Sequence, residues 1–287
     1  MNWTERRERF RALLSGDRCV NPGSVYDPLS ARIAEDLGFE VGMFAGSTAS
    51  LTVLGAPDHI LLTLTEFAAQ AYRICRAGNL SLMVDADHGY GNALNVKRTV
   101  EELETAGVCG MSIEDTDLPQ PYGIGGATRL ISVEEGVGKM RAALEGRRDP
   151  NLVIAGRTSA ARVTGTEDAI ARVKAYEAAG VDAIFLVGVQ SREQLEALSA
   201  SVSLPIVMGS SGPELRDLDY LATQRVRVAV QGHAPIMAAV QAVHATLKAL
   251  REGTPPGELE NLPSADLMKR VTRGADYGRQ MKEFLEG

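Results

Sequence analysis

One alternation narrows the possible folds more than any other feature of this chain. Eight short apolar, β-like runs recur at Cys19–Tyr26, Val41–Ala45, Leu80–Val84, Gly110–Ile113, Leu152–Ala155, Ala183–Val187, Leu204–Met208 and Val226–Val230. Helical patterns follow them at Pro28–Leu37, Leu64–Arg76, Leu94–Ala106, Val133–Leu144, Glu167–Ala179, Arg192–Ser199, Pro213–Thr223 and Pro235–Arg251. Short apolar runs bounded by turn formers read as buried strands. Strands alternating with helices imply a parallel sheet, and eight rounds imply a closed barrel. The expected fold class is α/β, a (β/α)8 TIM barrel. An open doubly wound sheet shares the alternation, but it usually carries a Gly-x-Gly-x-x-Gly turn after its first strand, and this chain has none.

The helix boundaries support the same reading. Thr63 with Glu66, Ser132 with Glu135, Thr164 with Glu167 and Ser191 with Gln194 match the capping box, in which a hydroxyl and an acid each satisfy an orphan amide. Gly38, Gly107 and Gly180 stand where left-handed caps end helices. Ahead of the first strand, Thr4–Leu14 reads as an amphipathic helix stopped by Gly16. The run Gly253-Thr254-Pro255-Pro256-Gly257 is a break, and two short charged helical patterns follow it. The expected organisation is a barrel domain with its N-terminal helix over residues 1–252 and a helical arm over 253–287. The arm packs on its own barrel or on a neighbour's.

Composition removes several classes of function. A net charge of −7 gives no nucleic-acid footprint. No apolar run approaches the ~20 residues that span a bilayer. Met1 to Arg11 is charged where a signal peptide carries its apolar region. Cys19, Cys75 and Cys109 are widely spaced and odd in number, which fits neither a disulfide framework nor a zinc site, so they read as buried thiols. The expectation is a soluble, cytoplasmic protein with no nucleic-acid or membrane partner.

The chemistry collects at the strand ends, where a parallel barrel places its catalytic groups. In Leu80–Asn92 an apolar run ends in Asp85 and Asp87, which a strand would point to one face. Paired carboxylates repel unless a positive group lies between them, and magnesium favours such oxygen donors. A helix cap plus a solvated acid is the plainer alternative. Other strand ends bring Ala45, Gly46 and Ser47, then Glu114 and Asp115, then Arg157, Thr158 and Ser159, and last Gln231, Gly232 and His233. Together they suit magnesium plus a small anionic substrate. Arg157 also fits a surface ion pair, His233 the start of the last helix, Asp115 a turn and Tyr90 plain packing.

These residues resemble the isocitrate lyase/phosphoenolpyruvate mutase superfamily over nearly the whole chain. The likeness rests on Gly46-Ser47, Pro57-Asp58, Asp85 to Asn92, Ile113-Glu114-Asp115, Glu134-Glu135 and Arg157-Thr158. It implies an enzyme using magnesium, or manganese, on α-keto or α-hydroxy acids through an enolate. It also implies a homotetramer, a dimer of dimers whose terminal helices cross between subunits. Carried over by position, Asp85 binds the metal while Asp58, Asp87 and Glu114 hold its waters. Ala45, Gly46 and Ser47 hold the substrate's carboxylate, and Arg157 neutralises its far end.

Within the superfamily, the lyases carry a Lys-Cys-Gly-His loop where this chain has Thr116 to Gly123. The phosphonate branch carries a lysine and an asparagine where Gln120 and Tyr122 stand. The chain is most similar to the oxaloacetate decarboxylase branch, through Ser24 to Pro28, Ala31 to Ala34, Asn92 to Val96, Glu134 to Lys139, Leu186 to Val189 and Gly232-His233. In that branch the histidine matching His233 contacts substrate. The implied reaction is decarboxylation of oxaloacetate to pyruvate. The alternatives are a carbon–carbon lyase or hydrolase acting on another keto or hydroxy dicarboxylic acid, and a non-catalytic keto-acid-binding barrel. Three departures, Gly156, Ser159 and the Gly209–Gly212 loop, are expected around the substrate's distal end. The 116–130 loop, with Gly123, Gly125 and Gly126, is expected to be mobile and to gate the site.

Overall fold

The structure is a computed structural model that describes residues 3–209 and 211–286. Eight parallel strands follow one another in a single sheet in chain order. They are β1 (Gly23–Ser24), β2 (Val41–Ala45), β3 (Ser81–Asp85), β4 (Gly110–Glu114), β5 (Val153–Thr158), β6 (Ala183–Val187), β7 (Ile206–Gly209) and β8 (Val226–Ala229). The sheet curls round and is joined to its start at Val20. The Val20 amide donates to the Arg227 carbonyl at 3.0 Å, and the Ala229 amide donates to the Val20 carbonyl at 2.9 Å. The first predicted run, Cys19–Tyr26, is thus split in two. Pro22 lacks the N–H that a ladder needs, so pairing resumes only at Gly23.

Helices fill the connections: α1 (Trp3–Ser15), α2 (Pro28–Asp36), α3 (Gly46–Ala49), α4 (Leu64–Cys75), α5 (Ala93–Thr105), α6 (Val133–Gly146), α7 (Ala160–Val163), α8 (Thr166–Ala179), α9 (Arg192–Ser201) and α10 (Leu218–Thr223). A π-helical turn, Ser50–Leu54, continues α3. Thr63, Ser132 and Ser191 cap α4, α6 and α9, but only at α4 does the partner acid, Glu66, complete the predicted box. Thr164 does not cap α8. Its hydroxyl donates to Asp168 at 2.5 Å, and Gly165, with φ of 103°, precedes the helix instead. The helix predicted from Pro213 begins only at Leu218, because the Asp217 carboxylate accepts from the amides of Asp219 and Tyr220 and starts it there.

Strand alternation separates two cores. Val41, Met43, Met83, Val153, Ala155, Ala183, Phe185, Val207 and Val228 fill the barrel interior together with Phe10 and Leu14 of α1. The other strand faces, including Phe44, Val84, Ile113 and Ile154, pack against the helices. Phe10 sits over the strand starts: a Cβ on Gly110 would lie 2.4 Å from its ring. Arg7 fastens α1 there, donating to the carbonyls of Glu104 at 2.6 Å and Val108 at 2.9 Å and pairing with Asp149 at 2.8 Å. With the N-terminal end closed by α1, the opposite rim is left for chemistry.

The chain forms two compact units, residues 1–232 and 233–287. The second holds α11 (Ala234–Arg251), α12 (Ala265–Val271) and α13 (Gly274–Leu285), the last two being the patterns expected after the Gly253–Gly257 break. The helix α11, which the sequence groups with the barrel, belongs to this second unit. All three cysteines are free and buried. Among the described residues, no helix is long and apolar enough to cross a membrane.

Candidate active site

Register decides which side chains meet at the rim. Ala45 pairs with Asp85, Asp85 with Ser112, Glu114 with Arg157, and Arg157 with Phe185. Asp85, Glu114 and Arg157 therefore converge from three adjacent strands. The Arg157 guanidinium pairs with Asp85 and lies 3.2 Å from Glu114. It sits over the Phe185 ring, 5.5 Å from the centroid. The Ser112 hydroxyl donates to Asp85 at 3.0 Å, and the Thr116 hydroxyl donates to Glu114 at 2.8 Å.

Asp87 reaches the group by a turn. Its backbone is left-handed, with φ of 48°. A Cβ on Gly46 would lie 2.3 Å from Asp87 Oδ2, so this carboxylate occupies the space that any side chain at 46 would need. Ala45 and Gly46 are buried and Ser47 half-buried; Gly46 and Ser47 open α3. Asp58 lies in an exposed turn after the π-helical turn, near enough for its charge to act on Asp87.

Burial raises the Asp87 carboxyl well above the usual carboxylate range; Asp85 and Glu114 add to this and Arg157 opposes it. Glu114 is raised by burial, with Arg157 pulling it back and Asp85 adding to the rise. Burial works against the Arg157 charge, but Asp85 and Glu114 outweigh it and hold the guanidinium charged. Three acids thus gather around one guanidinium, and burial together with their mutual repulsion works against their all being charged at once. Among the described residues, no three acidic, histidine or cysteine side chains stand gathered as a metal cage, and the guanidinium bridges Asp85 and Glu114. The donors themselves fit a hard divalent cation: all are carboxylate oxygens, buried or partly buried, under mutual repulsion.

Other expected residues sort differently. Asp115 is fully buried on the helix side, where it accepts from the Tyr176 hydroxyl at 2.7 Å and pairs with Arg172 at 3.1 Å. Gly156 does not border the site. A Cβ there would meet Tyr176 at 3.1 Å, because residue 156 points outward between the inward-facing Ala155 and Arg157. Ser159 is buried just ahead of α7. Tyr90 packs near Phe67 and His88, and its buried hydroxyl has no hydrogen-bond partner among the described residues. In the strand-seven loop, Ser210 lies outside the described residues. His233 belongs to the second unit, where it immediately precedes α11. The 116–130 loop is strapped at its base by Asp117 N to Arg129 O at 2.9 Å and Ile131 N to Asp115 O at 2.9 Å, and Tyr122 is exposed at its tip.

Ser112 and Phe185 join the site without being singled out by the sequence. Each lies on an inward face: Ser112 is two residues before Glu114, and Phe185 is level with Arg157. Period-two counting back from the acids would have found Ser112.

The phosphoenolpyruvate phosphomutase family model matches residues 10–251. The chain belongs to that family. This family member is 60% identical over 285 residues to an oxaloacetate decarboxylase of Rhodopseudomonas palustris (strain BisB18), covering 99% of each chain. It is similar in structure to oxaloacetate acetylhydrolase in complex with the inhibitor 3,3-difluorooxalacetate, with TM-score 0.86 and 27% identity over 99% of this chain and 98% of that one. It is similar as well to a phosphonopyruvate hydrolase complex with oxalate and Mg++, with TM-score 0.83 and 28% identity over 98% and 99% of the two chains.

Proposed function

We infer that this chain is an enzyme, a carbon–carbon lyase that decarboxylates oxaloacetate to pyruvate. The observation that carries this is its 60% identity along 99% of the Rhodopseudomonas palustris oxaloacetate decarboxylase. The rim chemistry agrees with it. A β-keto acid loses carbon dioxide when the enolate left behind is stabilised.

Magnesium, with manganese as its substitute, is the cation we assign to Asp85, with Asp87, Glu114 and Asp58 holding its waters. When bound, such an ion supplies a Lewis acid for the keto oxygen. Ala45, Gly46 and Ser47 are assigned to the carboxylate next to that keto group. The amides of Gly46 and Ser47 suit this, since the first N–H groups of a helix lack intrahelical acceptors. Arg157 is assigned to the leaving carboxylate. It must orient that group without favouring the ground state over the transition state. His233 is proposed as a further substrate contact on the family resemblance.

The assay is pyruvate release from oxaloacetate with magnesium and with chelator, corrected for the metal's own background. Saturable, chelator-sensitive turnover is the expected result; oxalate binding without turnover would instead favour a non-catalytic barrel. The likeness to oxaloacetate acetylhydrolase favours a second reading, hydrolysis of the same substrate. Acetate and oxalate in place of pyruvate and carbon dioxide would establish it. Gly156, expected from the sequence near the substrate's distal end, lends that reading nothing, because it faces Tyr176.

We further propose a homotetramer, a dimer of dimers. Along α11, Met237, Val240, Val243, Leu247 and Leu250 are exposed at helical spacing, an apolar stripe suited to other copies of the chain.

A further inference from the structure

Lys139 is a buried ammonium in an unusual position. Its side chain comes from the core face of α6 and is 4% exposed. Among the described residues, no carboxylate lies within ion-pairing distance of it. Its hydrogen bond goes to the carbonyl of His88, at 2.9 Å.

That carbonyl belongs to the turn that carries Asp87. Three successive carbonyls of the turn are each taken up by a different element. Asp87 O accepts from the Glu114 amide at 2.8 Å, His88 O from Lys139, and Gly89 O from the Thr99 hydroxyl at 3.0 Å. The Gly89 amide closes the turn onto Ala86 O at 2.9 Å. A left-handed backbone at a non-glycine residue persists only when its surroundings fix it. Asp87 is such a residue, and its carboxylate must fit against Gly46.

We propose that Lys139 is a positioning residue of the carboxylate centre: by holding the His88 carbonyl it fixes the turn that aims Asp87 at the rim. Burial lowers the lysine's pKa, and Glu135, Glu114, Asp115 and Asp117 oppose that. Its effect on the cation rests on the metal-centre reading above; its effect on the turn does not.

Two measurements test this. In metal-free protein, hydrogen exchange at the Gly89 amide reports the turn alone. Lys139→Met should speed that exchange, and an unchanged rate overturns the proposal. In folded protein, Mn2+ titrated by calorimetry reports the centre. Lys139→Met should bind Mn2+ about 10-fold more weakly, as losses behind a metal ligand commonly do. A lysine acting by charge alone repels the cation, so tighter or unchanged Mn2+ binding also overturns the proposal. Should Lys139→Met fail to fold, Lys139→Leu, which likewise removes both the donor and the charge, is read by the same two criteria. If the wild-type chain binds no Mn2+, the metal reading fails, and exchange at Gly89 still decides the role of Lys139.

Discussion

Glu114 and Asp115 are chain neighbours that serve opposite faces of one strand end. Glu114 lies 3.2 Å from the Arg157 guanidinium on the barrel side, while Asp115 accepts from Tyr176 at 2.7 Å on the helix side. Adjacent residues of an extended chain point in opposite directions, so one acid serves the rim and the other braces it from behind. Arg157 is tied into the same brace, because its carbonyl accepts from the Asp115 amide at 3.3 Å.

Asp85→Ala should abolish divalent-cation-dependent turnover and leave the fold intact. Asp85 is the central acid, bound by both Ser112 and Arg157. A fall in kcat of about 10²–10³-fold or more is expected, the scale seen when a stabilising group at a developing oxyanion is lost. Circular dichroism and thermal melting check the fold. Turnover retained at the wild-type rate would remove Asp85 from the centre.

Gly156→Ala should cost stability without changing substrate range. The new Cβ would press on Tyr176 Cβ and Cδ2 at 3.1 Å, within a slot that Gly136 also leaves open. Overpacking of this kind costs about 1–3 kcal/mol. A lowered denaturation midpoint with an unchanged KM for oxaloacetate is the expected pair of results. Altered KM at unchanged stability would return residue 156 to the site.

The barrel and most of the rim were legible because both depend on simple periods. Alternating runs gave eight strands, and Asp85, Glu114 and Arg157 each stand at the end of one. Gly156 was misread because its distance from Arg157 along the chain says nothing of direction until strand parity is applied. Lys139 was invisible as a site residue, since a lysine in a helical pattern reads as surface. Its burial follows from tertiary packing between α6 and the turn after β3. Thr164 failed as a cap for a similar reason. The short helix α7 ends at Val163, and Thr164 closes it before α8 begins.

The attachment of α1 should weaken in acid through Asp149. Burial works against its charge, but hydrogen bonds from Arg7, the Asn151 amide and Thr4 outweigh this and hold its pKa below the usual value. The folded state therefore favours the anion more than the unfolded chain does. The resulting stability is present above the unfolded carboxylate pKa of about 3.9 and is lost as pH falls through the folded value. Asp149→Asn should lower the melting temperature at neutral pH, by an amount equivalent to about 1–3 kcal/mol, because Arg7 loses its close partner. The gap from wild type should narrow below pH ~4. A gap that stays constant into acid would show that Asp149 acts by packing and not by charge.

The α11 stripe gives the sharpest test of assembly. Leu247 is 61% exposed and Val240 54%, and Met237 and Leu250 extend the same face of the helix. A row of large apolar side chains on one helix is unfavourable in water and is characteristic of a covered surface. If other copies of the chain cover it, Leu247→Glu places an unpaired charge in that contact, which association tolerates poorly. Light scattering after size exclusion should then give the mass of a tetramer for wild type and of a smaller species for the variant. The barrel of the first unit should keep its circular dichroism, because Leu247 belongs to the second unit. A wild-type chain that runs as a monomer, or a variant that keeps the wild-type mass, would show that α11 is not the contact between copies.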